Sequence, residues 1–174
     1  ENAILRLTGE RVSIICAGRT DAGVHALGQV VAFDSTATIP GERWKMAVNT
    51  YLPDDIQVLA SSLAGADFNP RFQALSKQYT YYIYRRDAGR VMFRNYALCT
   101  RVPLDLAAMR EAAALIVGRR NFRAFCASGS SAKTFERRLM KCMVEEKGPF
   151  LSLKVEADGF LYNMVRIVMG TLME

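Results

Sequence analysis

Histidine is nearly missing from this sequence: His25 is the only one among 174 residues. Tryptophan occurs once, proline five times and cysteine four times. The cysteines are Cys16, Cys99, Cys126 and Cys142, and no two form a C-x-x-C clip, so the ligand spacing of a zinc site is lacking. They sit inside apolar runs, which predicts buried, reduced thiols and a cytoplasmic protein. No apolar run is long enough to span a bilayer, and no signal-peptide pattern opens the chain. Repeats, low-complexity tracts and long linkers are also lacking. Acids are outnumbered, 17 against 23 lysines and arginines, for a net charge of +6. That excess suits a polyanionic partner such as nucleic acid without demanding one. There is no initiating methionine. "ENAILRLTGE" resembles the tail of an amphipathic helix entering a strand, and "VMGTLME" stops within a helical pattern, so both ends look cut. Apolar residues make up 51% of the chain, enough for a packed core without disulfides.

The patterns mix strands and helices without strict alternation. "RVSIICA" at residues 11–17 and "GQVVAFD" at residues 28–34 are rich in β-branched residues and predict two strands. A helix starts at Pro40, with Trp44, Ala47, Val48, Tyr51 and Leu52 on one apolar face. "IQVLASSL" predicts a third strand, and "SKQYTYYIYRR" a long one with Tyr79, Tyr81 and Ile83 on one face and Thr80, Tyr82 and Tyr84 on the other. "YALCTRV" is a further strand. A helix follows "PLD", striped by Met109, Ala112, Ala113, Leu115 and Ile116 and closed by Gly118. "RRLMKCMVEEK" and "FLSLKVEAD" form a hairpin through Gly148 and Pro149, and "FLYNMVRIVMGTLM" is a largely buried helix. The expected fold class is α+β with mixed or antiparallel sheet and flanking helices.

Two residues stand out chemically. Arg166 is the only ionisable group besides Tyr162 from Gly159 to Met173. A guanidinium cannot shed its charge, and leaving it buried and unpaired costs roughly 3–5 kcal/mol. It must snorkel to water or aim at a carboxylate. Most acids, Glu10, Asp54, Asp55, Asp67, Asp87, Glu111, Glu145 and Glu146, fall in turns or on polar faces. Asp21 differs, because it follows a strand on the tight loop "AGRTDAGVHALGQVVAF". It is either an Asx-turn residue or a carboxylate held ionised by an arginine. Four tyrosines in six residues beside Lys77 supply core, or a surface on which a base could stack. His25 has no serine or cysteine partner, so no triad is indicated.

"GRTDAGVHALGQVVAF", "FNPRFQALSKQYTYYIY" and "GFLYNMVRIVMGTL", in this order along the whole chain, resemble the three motifs of the TruA-type tRNA pseudouridine synthases. The resemblance, carried by those stretches, implies conversion of uridine to pseudouridine in the tRNA anticodon stem-loop, typically at positions 38, 39 and 40. It implies no metal and no cofactor, tRNA as partner and a homodimer. It assigns Asp21 as the nucleophile, Arg166 as its paired arginine, Tyr79 as the tyrosine packing on the target base and Arg19 as the group filling the flipped base's place. His25, in the same motif, joins Tyr79 and Arg19 as substrate-binding. Arg85, Arg86, Arg119, Arg120 and Arg123 become candidates for the tRNA backbone or ordinary surface charges. The implied fold is two similar halves around a central cleft: residues 1–70 with the Asp21 loop, and residues 71–174 with Tyr79 and Arg166. The family pattern also has an earlier strand with a Y-D-G…G-W-Q-type sequence and a tail after the last helix. Neither is in this sequence, which implies an open sheet edge. Two other readings stay open: a tRNA-binding module of the same fold without activity, and a small-molecule hydrolase using Asp21, for which no base or metal is evident.

Overall fold

The computed structural model describes residues 1–86 and 90–174. Asp87, read above as a turn or surface acid, lies outside them. The chain forms two compact units, Glu1–Ala74 and Leu75–Glu174.

In the first unit, helix α1 (Asn2–Thr8) ends at Gly9, whose left-handed φ of 78° lets its N–H reach the carbonyl of Leu5. It packs against α2 (Trp44–Asn49), which a 3₁₀ turn, Gly41–Arg43, precedes. Ala3, Ile4 and Val48 are buried between them, ringed by side chains that include Leu7, Ile14 and Tyr51. Phe33 closes the edge, its ring T-shaped against Trp44 at 5.1 Å. Gly41 must be glycine, because a Cβ there would stand 2.6 Å from the backbone nitrogen of Leu63.

The two strands expected at residues 11–17 and 28–34 shrink to β1 (Ile15–Cys16) and β2 (Val31–Ala32), paired antiparallel. β-branched content favours extended chain, but a ladder also needs a partner's hydrogen bonds. Just ahead of Ile15 a side chain takes one instead: the Ile14 N–H donates to Glu1 Oε1 at 3.2 Å. The strand expected from "IQVLASSL" does not form either, for a similar reason. The Asn49 amide donates to the Val58 carbonyl at 3.0 Å and accepts from the Val58 N–H at 2.8 Å, as a partner strand would.

The second unit holds a mixed five-stranded sheet in the order β4-β3-β7-β6-β5. Its strands are β3 (Lys77–Tyr84), β4 (Leu98–Cys99), β5 (Gly118–Asn121), β6 (Glu136–Lys147) and β7 (Phe150–Ala157). Only β3 and β4 run parallel; the other pairs are antiparallel. Helices α3 (Arg90–Phe93), α4 (Leu106–Leu115) and α5 (Met164–Met173) complete it. β7 alternates strictly, with Leu151, Leu153, Val155 and Ala157 buried on one face. That face meets Met109 and Ala113 of α4 and Met164, Val168 and Met169 of α5 in one core. The β6–β7 hairpin turns at Gly148, whose φ of 59° suits the first central position of a II′ turn, with Pro149 second.

α4 stops at Leu115, and Gly118, with φ +112°, opens β5 rather than closing a helix. β5 itself, "GRRN", carries no apolar alternation and owes its form to pairing with β6. Among the cysteines only Cys142 is buried; Cys16, Cys99 and Cys126 are half-buried. All four are free thiols.

Candidate active site

The first motif builds a compact loop. Ala17 N–H donates to the Val30 carbonyl at 2.9 Å, tying the loop's ends, and Gln29 Nε2 donates to the Gly18 carbonyl at 2.6 Å. Inside it, the Val24 N–H donates to the Asp21 carbonyl at 3.0 Å, closing a four-residue turn. Gly23 occupies its third position with φ +79°, which an L side chain rarely adopts. Arg19, Asp21 and His25 are therefore presented together on one exposed, glycine-shaped loop. Asp21 uses its backbone for the turn, so its carboxylate is not required for that closure.

Tyr79 lies on β3 opposite Val155 and is half-buried. Its ring stands edge-on to Phe160, centroids 4.9 Å apart at 82°. Tyr81 is half-buried, Tyr82 exposed and Tyr84 buried, so the tyrosine strand serves both core and surface. Phe160 leads into α5, whose first residues follow Asn163, a non-glycine residue at φ 57°. Asparagine tolerates that left-handed position better than most residues. Arg166 sits in the first turn of α5, on its exposed side, opposite Met164, Val168 and Leu172. This corrects the reading of the last helix as largely buried: one face is core, and the arginine avoids the desolvation penalty. α5 packs against β3 and against the 3₁₀ turn Arg123–Phe125. Tyr79 and Arg166 thus belong to adjoining elements of the second unit, and Asp21, Arg19 and His25 to one loop of the first.

Phe160 escaped the sequence reading. Its signal was the glycine and aromatic directly ahead of the arginine helix in "DGFLYNMVR". Among the basic candidates, Arg85 is committed to an ion pair with Glu146, and Arg119 pairs with Glu136 at 3.1 Å. Arg120 and Arg123 are exposed; the Arg123 guanidinium lies 4.9 Å over the Phe135 ring. Arg86 is exposed. Among the described residues, no three His, Cys, Asp or Glu side chains gather to hold a metal ion, and no helix is long and apolar enough to cross a membrane.

A family described as tRNA pseudouridine synthase matches residues 1–73 and 112–174. The chain is 63% identical over its full length to tRNA pseudouridine synthase A of Syntrophomonas wolfei, of which it covers 70%. It is 49% identical over 172 residues to the protein of that name from Moorella thermoacetica, and 40% identical over 172 residues to that from Bacillus subtilis. In both cases the alignment takes in 99% of this chain and 70% of the relative.

Proposed function

The chain belongs to the tRNA pseudouridine synthase family, a family of isomerases, and from that membership we propose that it converts uridine to pseudouridine in the anticodon stem-loop of tRNA, with Asp21 as nucleophile. The reaction breaks the bond from N1 of uracil to C1′ of ribose, turns the ring and joins C5 to C1′. Stacking hides these atoms, so the nucleotide leaves the stack at a cost of about a few kcal/mol. Arg19 offsets part of that cost by occupying the vacated place and meeting phosphate. Asp21 attacks as a carboxylate, at uracil C6 or ribose C1′. Arg166, with a fork that matches a carboxylate, keeps Asp21 ionised. Tyr79 offers the uracil a flat face and a hydroxyl near C5, from which a proton must finally leave. His25 shares the Asp21 loop and contacts the same nucleotide.

The observation that most supports this reading is local. The ring of Tyr79 is fixed edge-on by Phe160 at the entrance to the helix that bears Arg166. A ring held in that way has lost rotamer freedom before a base arrives. We further take the active form to be a homodimer with Asp21 supplied by residues 1–70 and Tyr79 and Arg166 by residues 71–174.

The test is tritium release from tRNA labelled at uridine C5. Wild-type chain should release tritium, and Asp21→Ala should lose release by at least about 1,000-fold while keeping its circular dichroism spectrum. Continued release by that variant overturns the assignment of Asp21. A gel shift of tRNA by a wild-type chain that forms no pseudouridine selects the reading of a tRNA-binding module instead.

A further inference from the structure

Outside the motif residues, four arginines gather where β5 meets β6. Strand register sets Arg119 opposite Arg138 and Arg120 opposite Arg137. Like charges facing each other across antiparallel strands are destabilising, so this arrangement calls for counter-charge. Nearby acids supply little of it. Glu136 pairs with Arg119, and Asp158 Oδ1 accepts the backbone N–H of Arg138 at 3.0 Å.

The two pairs point to opposite faces, since alternate strand residues share a face. Arg137 lies two positions before buried Leu139, and Arg120 two before buried Phe122. They therefore share the face of Tyr79, which is linked to Leu139 through Val155 and Ala157 of β7. Arg123 joins them, because its guanidinium lies over Phe135, the next same-face position from Arg137. Arg137 is oriented from below: its Nη1 donates to the carbonyls of Thr134 at 3.1 Å and Glu136 at 2.6 Å. Its Nε flanks Gly159, where a Cβ would stand 3.5 Å away. Gly159 precedes Phe160, whose ring holds Tyr79. The same face thus carries Tyr79 against Phe160, Gly159 beside Arg137, Arg120 opposite Arg137 in register, and Arg123 stacked on Phe135.

We infer that Arg120, Arg123 and Arg137 form a phosphate-binding shelf that holds the RNA strand flanking the uridine presented at Tyr79. The inference rests on the function proposed above. Guanidinium forks suit phosphate oxygens, and each of the three keeps N–H donors beyond those it spends on protein. The rival explanation is edge protection: β5 is a sheet edge, and charge there discourages pairing with another chain. That role needs charges on the edge strand alone. It leaves unexplained why Arg123 and Arg137 share the face of Tyr79.

The experiment measures tRNA affinity across a potassium chloride series for the wild-type chain and for the double variant Arg120→Gln/Arg123→Gln, which leaves the carbonyl contacts of Arg137 in place. The shelf predicts that the slope of log Kd against log salt drops by about 1.4–1.8, from about 0.7–0.9 per phosphate contact. Affinity at physiological salt should weaken about tenfold. The charge-preserving Arg120→Lys/Arg123→Lys should retain the slope. An unchanged slope in the glutamine variant overturns the shelf, and so does failure of the wild-type chain to bind tRNA. Self-association with unchanged slope identifies edge protection and overturns it equally. The slope needs no turnover, so an arginine-dependent slope in a chain that forms no pseudouridine leaves the shelf standing and overturns only the isomerase reading.

Discussion

Single residues divide here into those whose chemistry can be read from their type and those whose chemistry depends on place. Asp21 and Arg166 stand out in the sequence because a carboxylate on a glycine-shaped loop and a lone arginine in an apolar helix are both unusual. Exposure was the part that type could not supply: Arg166 lies on the outer side of α5, because its turn position sets it opposite Met164, Val168 and Leu172. Cys142 shows the same dependence. Its apolar setting pushes the thiol up to about 11, through loss of hydration of the thiolate. The folded state therefore favours the protonated form. That contribution is complete below an ordinary thiol value of 9.0 and is lost as pH rises toward about 11. Urea unfolding at pH 8 and pH 10.5 should show wild type losing more stability over this interval than Cys142→Val, which has no proton to release. Equal losses would show that the thiol is hydrated in the folded chain.

Elements were legible where the partner strand or helix merely confirms a local preference. The β6–β7 hairpin and α1 fall where the patterns place them, and so does the stripe of α4 at Met109, Ala112 and Ala113, whereas Leu115, expected on that stripe, is exposed. Misreadings cluster where partners decide. "IQVLASSL" has strand composition, yet its backbone is served by Asn49. "GRRN" has none, yet pairs with β6. β6 also hides an irregularity between Leu139 and Lys141, which shifts the buried positions from 139 to 142 and 144 and so blurs its alternation. Capping offers a clean test at this scale. Asp105 Oδ1 accepts the N–H groups of Ala107 and Ala108, both at 3.0 Å, at the head of α4. Asp105→Ala should cost about 1 kcal/mol, and Asp105→Ser should recover most of it. Chemical denaturation midpoints measure both; an unaltered midpoint in the alanine variant would show that water serves these donors equally well.

At the scale of the molecule, the two units differ in how much apolar surface they bury. Sixteen residues form the buried cluster of the second unit and three that of the first, among the described residues. Stability follows buried area, so the units should open at unequal free energies. Native-state hydrogen exchange should find the slowest amides in β3, β6 and β7, and amides of residues 1–74 at least about tenfold faster. A single exchange regime across both would contradict the division. The order of strands carries a temporal consequence as well. β3 pairs along its whole length with β7, so Lys77 waits for Ala157. During synthesis at roughly 5–20 residues per second, that delay lasts on the order of several seconds. Throughout it, a tyrosine-rich segment would leave the ribosome with no long strand to accept its backbone, which makes it a natural place for a nascent-chain holdase to grip.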